Sequence, residues 1–293
     1  MTPRDILLAL FVVIVWGINF VAIKWGVEEV PPLLLTALRY LAAALPAVFF
    51  VRPPKVSLGL LLVYGLSVGV LQFGLLFSAI RLGMPAGLSS LVMQVQAFFT
   101  IALAMVFLGE RLKLSQVLGA VIAFGGIAVI GVERLDATAL LPLLMTVGAA
   151  FFWGVSNIAV KKAGKVDTFA LVVWGSLVPP LPLLALSLIF EGPGAIAGLM
   201  HLSPRGIGSV AFLGYVSTLM GYGLWSALLA RYPASLVAPF SLLVPIVGIA
   251  AAVMVLDEPL TLIEALGSAL VFAGLLLNVF GSALGRRRRA SAP

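Results

Sequence analysis

The sequence predicts an all-α integral membrane protein: ten transmembrane helices built as two inverted five-helix repeats, with the N- and C-termini cytoplasmic. Three observations lead there: an apolar composition, ten apolar stretches of spanning length, and a chain that resembles itself halfway along. Only 10% of the 293 residues are charged and 62% are apolar, with a mean hydropathy of +1.20, whereas soluble domains carry roughly 25% charged residues. The natural solvent for such a surface is lipid. Cysteine is absent, which excludes disulfides, thiolate metal sites and thiol nucleophiles. The single histidine, His201, stands beside Arg205 and builds no metal cluster, so neither metal nor cofactor is expected. Part of the net charge of +7 is the run Arg286 to Arg289. It reads as a positive tail beside a membrane, with no nucleic-acid partner.

A span needs about 20 mostly apolar residues, and charges, Pro and Gly mark off ten in order. The first, 5–24, follows Arg4 as a signal peptide would. It runs too long for one, holds Trp16 and Asn19 on one face, and offers no small-residue cleavage site before Lys24, so it is expected to stay as a helix. The second, 32–51, carries Arg39 close to its outer end, where snorkelling to the headgroups is expected. The third, 57–80, has Gln72 midway and a small-xxx-small pair, Gly65 and Gly69, suited to close helix packing. On the fourth, 85–108, Ser90 and Gln94 share a face while Gln96 points nearly opposite. The fifth, 115–131, repeats the packing signal at Gly125-Gly126.

The sixth span, 138–161, places Trp153 and Asn157 four apart on one face, and the seventh covers 168–190. On the eighth, 206–230, Tyr215, Thr218, Tyr222, Trp225 and Ser226 form a stripe at helical spacing. Ser241 precedes Pro245 on the ninth, 234–256, and the tenth covers 260–284. Strands are excluded because the apolar stretches do not alternate and are about twice the length of a barrel strand. Short loops are all that remain, with no room for a soluble domain. With the N-terminus cytoplasmic, thirteen Lys and Arg fall inside, against four outside: Lys24, Arg81, Arg134 and Arg205. That bias puts both termini in the cytoplasm and the chain in the inner membrane.

The repeat shows in residues that do not coincide cheaply. Trp16-Gly17 and Lys24 recur as Trp153-Gly154 and Lys161, an offset of 137. Further on the offset is 148: Pro85-Ala86 matches Pro233-Ala234, and Leu108-Gly109-Glu110 matches Leu256-Asp257-Glu258. Residues 1–135 thus form a first repeat, 136–285 a second, and 286–293 a basic cytoplasmic tail. Five spans is an odd number, so the second copy must enter the membrane from the opposite side. Inverted repeats are a hallmark of secondary transporters, since exchanging the conformations of two like halves turns an outward-open cavity inward.

Two five-span repeats, each with a Trp-Gly first helix and a Gly/Asp-Glu junction after its fourth, resemble the drug/metabolite transporter superfamily and its EamA-type branch. Within that branch the length, tails and overall pattern are most similar to bacterial exporters of aromatic amino acids. The resemblance covers residues 5 to 284 and implies export of amino acids or related metabolites. One departure concerns the mid-helix Pro often found in the fourth and ninth helices. Pro245 supplies it once as a hinge, but the related position is Ala97, so the two halves are expected to bend differently.

No phosphate loop for ATP is present, and all eleven acidic residues lie near span ends or in loops. A proton relay would need a carboxylate at mid-membrane, so an uncoupled facilitator of a substrate without net charge is expected. Amides and aromatic groups within spans need partners and should line a cavity or a helix contact, not lipid. The candidate substrate-binding residues are Trp16, Asn19, Gln72, Ser90, Gln94, Trp153, Asn157, Tyr215, Tyr222, Trp225 and Ser241. Aromatic faces there suit an aromatic or large neutral amino acid. Glu110 and Glu258 are expected to cap the fifth and tenth helices, with a gating ion pair as the alternative. Competing functions are a broad drug or nucleotide-sugar carrier of the same fold and an integral membrane transferase. The sequence offers no catalytic constellation for the transferase.

Overall fold

The protein is described from a computed structural model, which covers residues 1–133 and 137–290, with side chains of 137–139, 234–235 and 282–290 left out. Ten helices follow one another: α1 (Pro3–Glu29), α2 (Pro32–Ala47), α3 (Leu58–Arg81), α4 (Ala86–Leu108), α5 (Leu114–Glu133), α6 (Ala137–Ala163), α7 (Thr168–Phe190), α8 (Pro204–Arg231), α9 (234–256) and α10 (Leu262–Ala290). Among the described residues nine are long and apolar enough to span a membrane, and α2 is a shorter apolar tenth. The expected boundaries hold to within a few residues except at three ends, the first being that of α1, which runs to Glu29 and not to 24. Helix α2 stops at Ala47, one residue past Pro46, and turns follow over 48–50. Backbone 286–290, expected as a tail, continues α10, while residues 291–293 and the expected repeat boundary at 135/136 lie outside the described residues.

The helix starts are capped by side chains, several reaching across the fold. Thr2, Ser57, Asp167 and Ser203 cap α1, α3, α7 and α8 from the preceding residue. Helix α2 is capped from the α7–α8 connection, where the Glu191 carboxylate accepts from Leu33 and Leu34 N–H at 2.7 and 3.1 Å. A capping box closes α10: Glu264 accepts from Thr261 N–H, and Thr261 Oγ1 accepts from Glu264 N–H. Gln116 takes Lys113 N–H at the start of α5. Glu110 and Glu258 are therefore not the caps of α5 and α10 that the sequence suggested.

Helix irregularities recur in both halves. Helices α3 and α8 each widen into a π-helical stretch, over Leu66–Phe73 and Phe212–Met220. Helices α4 and α9 each tighten into a 3₁₀ segment, over Met93–Val95 and Ala238–Leu243. Both then end in a left-handed residue, Gly109 at φ 67° and Asp257 at φ 52°. Glu110 N–H reaches Ala104 O, and Glu258 N–H reaches Ala252 O, both at 3.3 Å. Helix α4 thus breaks its α-helix without a proline at the position of Pro245, over three residues where α9 breaks over six.

The halves pack by exchange. A β-carbon on Gly17 of α1 would stand 2.5 Å from Val247 of α9, and one on Gly154 of α6 would stand 3.0 Å from Phe99 of α4. These are the same contact made twice, since 17 matches 154 and 99 matches 247. On α3, Gly65 and Gly69 receive Val178 and Pro179 of α7. Backbone meets backbone between α5 and α10, where added β-carbons on Gly119 and Gly126 would meet the carbonyls of Gly274 and Gly267 at 2.6 and 2.5 Å. Position 119 matches 267 and 126 matches 274, so the two helices run antiparallel about a two-fold axis. Such an axis lies across the helices, as inverted repeats require.

Candidate functional site

A cavity of about 340 Å³ lies between the halves, lined by every helix except α5 and α10. That size suits a small metabolite. Ten of the eleven candidate residues line it: Trp16, Asn19, Gln72, Ser90, Gln94, Trp153, Asn157, Tyr222, Trp225 and Ser241. Tyr215 does not. It is 47% exposed on the outer face of α8, because the π-helical stretch around it alters the angular step that would have stacked it under Tyr222. Gln96, expected on the opposite face from Gln94, also lines the cavity. The 3₁₀ turn over Met93–Val95 advances each residue further around the axis and swings Gln96 inward.

Aromatic rings form one wall. Trp16 sits 5.1 Å from Tyr222 and 5.2 Å from Trp225 between centroids, tilted against each. Its Nε1–H donates to Ser217 O at 3.1 Å, a carbonyl within the π-helical stretch of α8. Trp16 is thus held in the interior and is no interfacial-belt residue. Opposite, the Asn157 amide donates to Gln96 Oε1 at 2.8 Å and to Thr100 Oγ1 at 3.0 Å, while the Gln94 amide donates to Ser241 O at 2.9 Å. Ser90 Oγ–H donates to Gly87 O at 2.6 Å.

Arg39, too, lies elsewhere than sequence reasoning placed it. Expected to snorkel, it is 1% exposed and reaches the cavity from α2. Its Nε–H donates to Thr218 Oγ1 at 3.1 Å, and its guanidinium lies 3.9 Å above the Phe73 ring. In a helix of Pro32–Ala47, Arg39 sits midway and not near an end. Among the described residues no Asp or Glu lines the cavity, and Arg39 is the only Lys or Arg that does.

The two ends of the cavity differ. Call the end of the bundle holding both chain termini the terminal face, and the other the far face. Toward the far face Asn19, Gln72 and Ser90 are buried, whereas Asn157, Thr168, Trp225 and Ser241 toward the terminal face are half-buried. The far face is closed where Gly87 of α4 lies on Ile249 and Ala252 of α9. There Glu258 accepts from Ala86 N–H at 2.8 Å and faces Lys24 at 4.0 Å. Among the described residues, Gln96–Leu108 makes no comparable contact with the start of α9. Glu110 pairs with Lys161, the counterpart of Lys24, at 2.9 Å, but its side chain is 53% exposed against 18% for Glu258. Pro245 stands at the start of the α-helical part of α9, just after the 3₁₀ segment.

The sequence profile of the EamA-like transporter family matches residues 4–132 and, a second time, 140–280. A protein of Escherichia coli strain K12 named a probable amino-acid metabolite efflux pump is 46% identical, over 96% of each chain. Its namesake from Salmonella typhimurium strain LT2 is 47% identical, over 99% of this chain and 100% of that one. A probable terminal-alkyne amino-acid exporter of Streptantibioticus cattleyicolor is 29% identical, over 96% of this chain and 95% of its own. A crystal structure 20% identical in sequence covers all of both chains with a TM-score of 0.65, a likeness of fold.

Proposed function

Because the chain belongs to the EamA-like transporter family, we propose that it exports neutral amino acids and related metabolites, foremost those with aromatic or large side chains, by alternating access. It is a transporter and a multi-pass protein of the inner membrane. The observation that carries the proposal is a cavity closed at its far face by α4 on α9, lined by half-buried residues toward its terminal face, and set between halves related by a two-fold axis. Exchanging the two packing arrangements of α4 on α9 would close the terminal face and open the far one. The names of the Escherichia coli and Salmonella relatives support the substrate class, and the Trp16, Tyr222 and Trp225 wall supports an aromatic or bulky side chain. The charge bias supports cytoplasmic termini, and on that reading the cavity is the inward-open one. The absence of Asp and Glu from its lining supports uncoupled transport. A cationic drug would meet Arg39, and a nucleotide sugar would find no second Lys or Arg, so neither carrier is favoured.

The test is efflux of labelled phenylalanine from liposomes holding the purified protein, with and without a pH gradient. Efflux down the concentration gradient alone is expected. A strict need for the pH gradient would reject uncoupled transport, and no efflux in either condition would reject the aromatic substrate. Gln94→Ala and Trp153→Ala are expected to lower the rate by about tenfold, the scale of a lost hydrogen bond or ring contact. Folding and membrane insertion should be unchanged, as checked by gel filtration. Normal rates in both variants would remove these residues from the site.

A further inference from the structure

Arg39 is a charge without a counter-charge. Its guanidinium has five N–H donors, of which Nε–H is used by Thr218, while Nη1 is buried with no acceptor. Among the described residues no carboxylate comes within 4.0 Å of it, since the ion pairs found join other residues. A cation held in a membrane interior is costly unless it is paired or faces water, and such residues mark substrate pathways. The Phe73 face compensates only in part. The position is also fixed: Thr218, which accepts from Arg39, itself donates to Leu213 O at 2.8 Å within the π-helical stretch of α8. The same cavity holds the complementary deficiency, for Asn19 Oδ1 and Gln72 Oε1 are buried acceptors without a donor.

We propose that Arg39 binds the carboxylate of the transported amino acid, and that the amide oxygens of Asn19 and Gln72 receive its ammonium group. A zwitterion would satisfy all three deficiencies at once. Guanidinium and carboxylate match as planar, paired hydrogen-bonding groups. The ammonium half of the assignment rests on the export reading above; the carboxylate half does not.

The full-length protein in lipid nanodiscs is titrated with phenylalanine, phenylalaninamide, 3-phenylpropanoate and 3-phenylpropanamide, and binding is read from the rise in unfolding midpoint. Each acid is expected to bind about tenfold or more tightly than its amide, the scale of one charge-assisted pair. Arg39→Gln should erase that preference, and Arg39→Lys should keep it at lower affinity. Gln72→Leu should weaken phenylalanine and leave 3-phenylpropanoate unchanged. The acid–amide comparison on the unaltered protein needs no variant to fold. Equal binding of acids and amides, no binding of any of the four, or an acid preference that survives Arg39→Gln overturns the carboxylate assignment. Binding of 3-phenylpropanoate through Arg39, with phenylalanine neither bound nor carried, upholds that assignment and rejects the amino-acid reading instead.

Discussion

Gly109 and Asp257 end equivalent helices in the same left-handed turn, yet only one of them lacks a β-carbon. The chain therefore carries its own control. Asp tolerates this conformation better than most residues, whereas a β-branched side chain meets the following carbonyl at about 1–2 kcal/mol. Gly109→Asp is expected to leave the detergent-solubilised protein within about 1 kcal/mol of its original stability, and Gly109→Val to cost more than that. Equal melting of the two variants would mean that the turn does not hold φ positive in solution. What could be read at this scale from sequence was residue type. Amides and aromatic groups inside spans had to find partners, and ten of the eleven chosen residues line the cavity. Tyr215 and Arg39 went astray because their placement depends on helix geometry, a π-helical stretch in one case and a shortened helix in the other.

Helices were legible as apolar runs, and their order followed from punctuation, but their interior irregularities were not. Nothing in Leu66–Phe73 or Phe212–Met220 marks a π-helix, since the extra residue per turn is set by what packs against it. Both stretches offer carbonyls sideways: Val68 O accepts from Tyr40 Oη at 3.4 Å, and Ser217 O from Trp16 at 3.1 Å. Pro245 drew attention to a bend in α9, but α4 forms the matching 3₁₀ segment beside Ala97. A break in α4 thus needs no proline. Pro245→Ala is expected to keep phenylalanine efflux within about twofold of the original rate, as for a substitution that removes no buried polar contact. A transport-dead but folded Pro245→Ala protein would restore the proline as a hinge.

For the molecule as a whole, the repeat offset foretold which contacts come in pairs, but no sequence feature foretold which of two related states would be occupied. Closure of the far face can be tested on a background free of native cysteine. A β-carbon on Gly87 would lie 3.1 Å from that of Ala252, near the roughly 3.8 Å of a disulfide. Gly87→Cys with Ala252→Cys, once oxidised, is expected to stop efflux, and reductant should restore it; undiminished efflux through the cross-linked protein would sink alternating access. The α5–α10 contact has a different consequence. Because 119 meets 274 while 126 meets 267, the contact is isologous, the kind by which two copies of one chain recognise each other. Such a surface owes nothing to the peptide that joins the halves. Cut after Glu133 and co-expressed as two polypeptides, the halves are expected to co-purify as one particle, and to do so no longer when Gly126 is replaced by Leu. The covalent link would then serve chiefly to guarantee equal numbers of two oppositely inserted partners that could have assembled unaided.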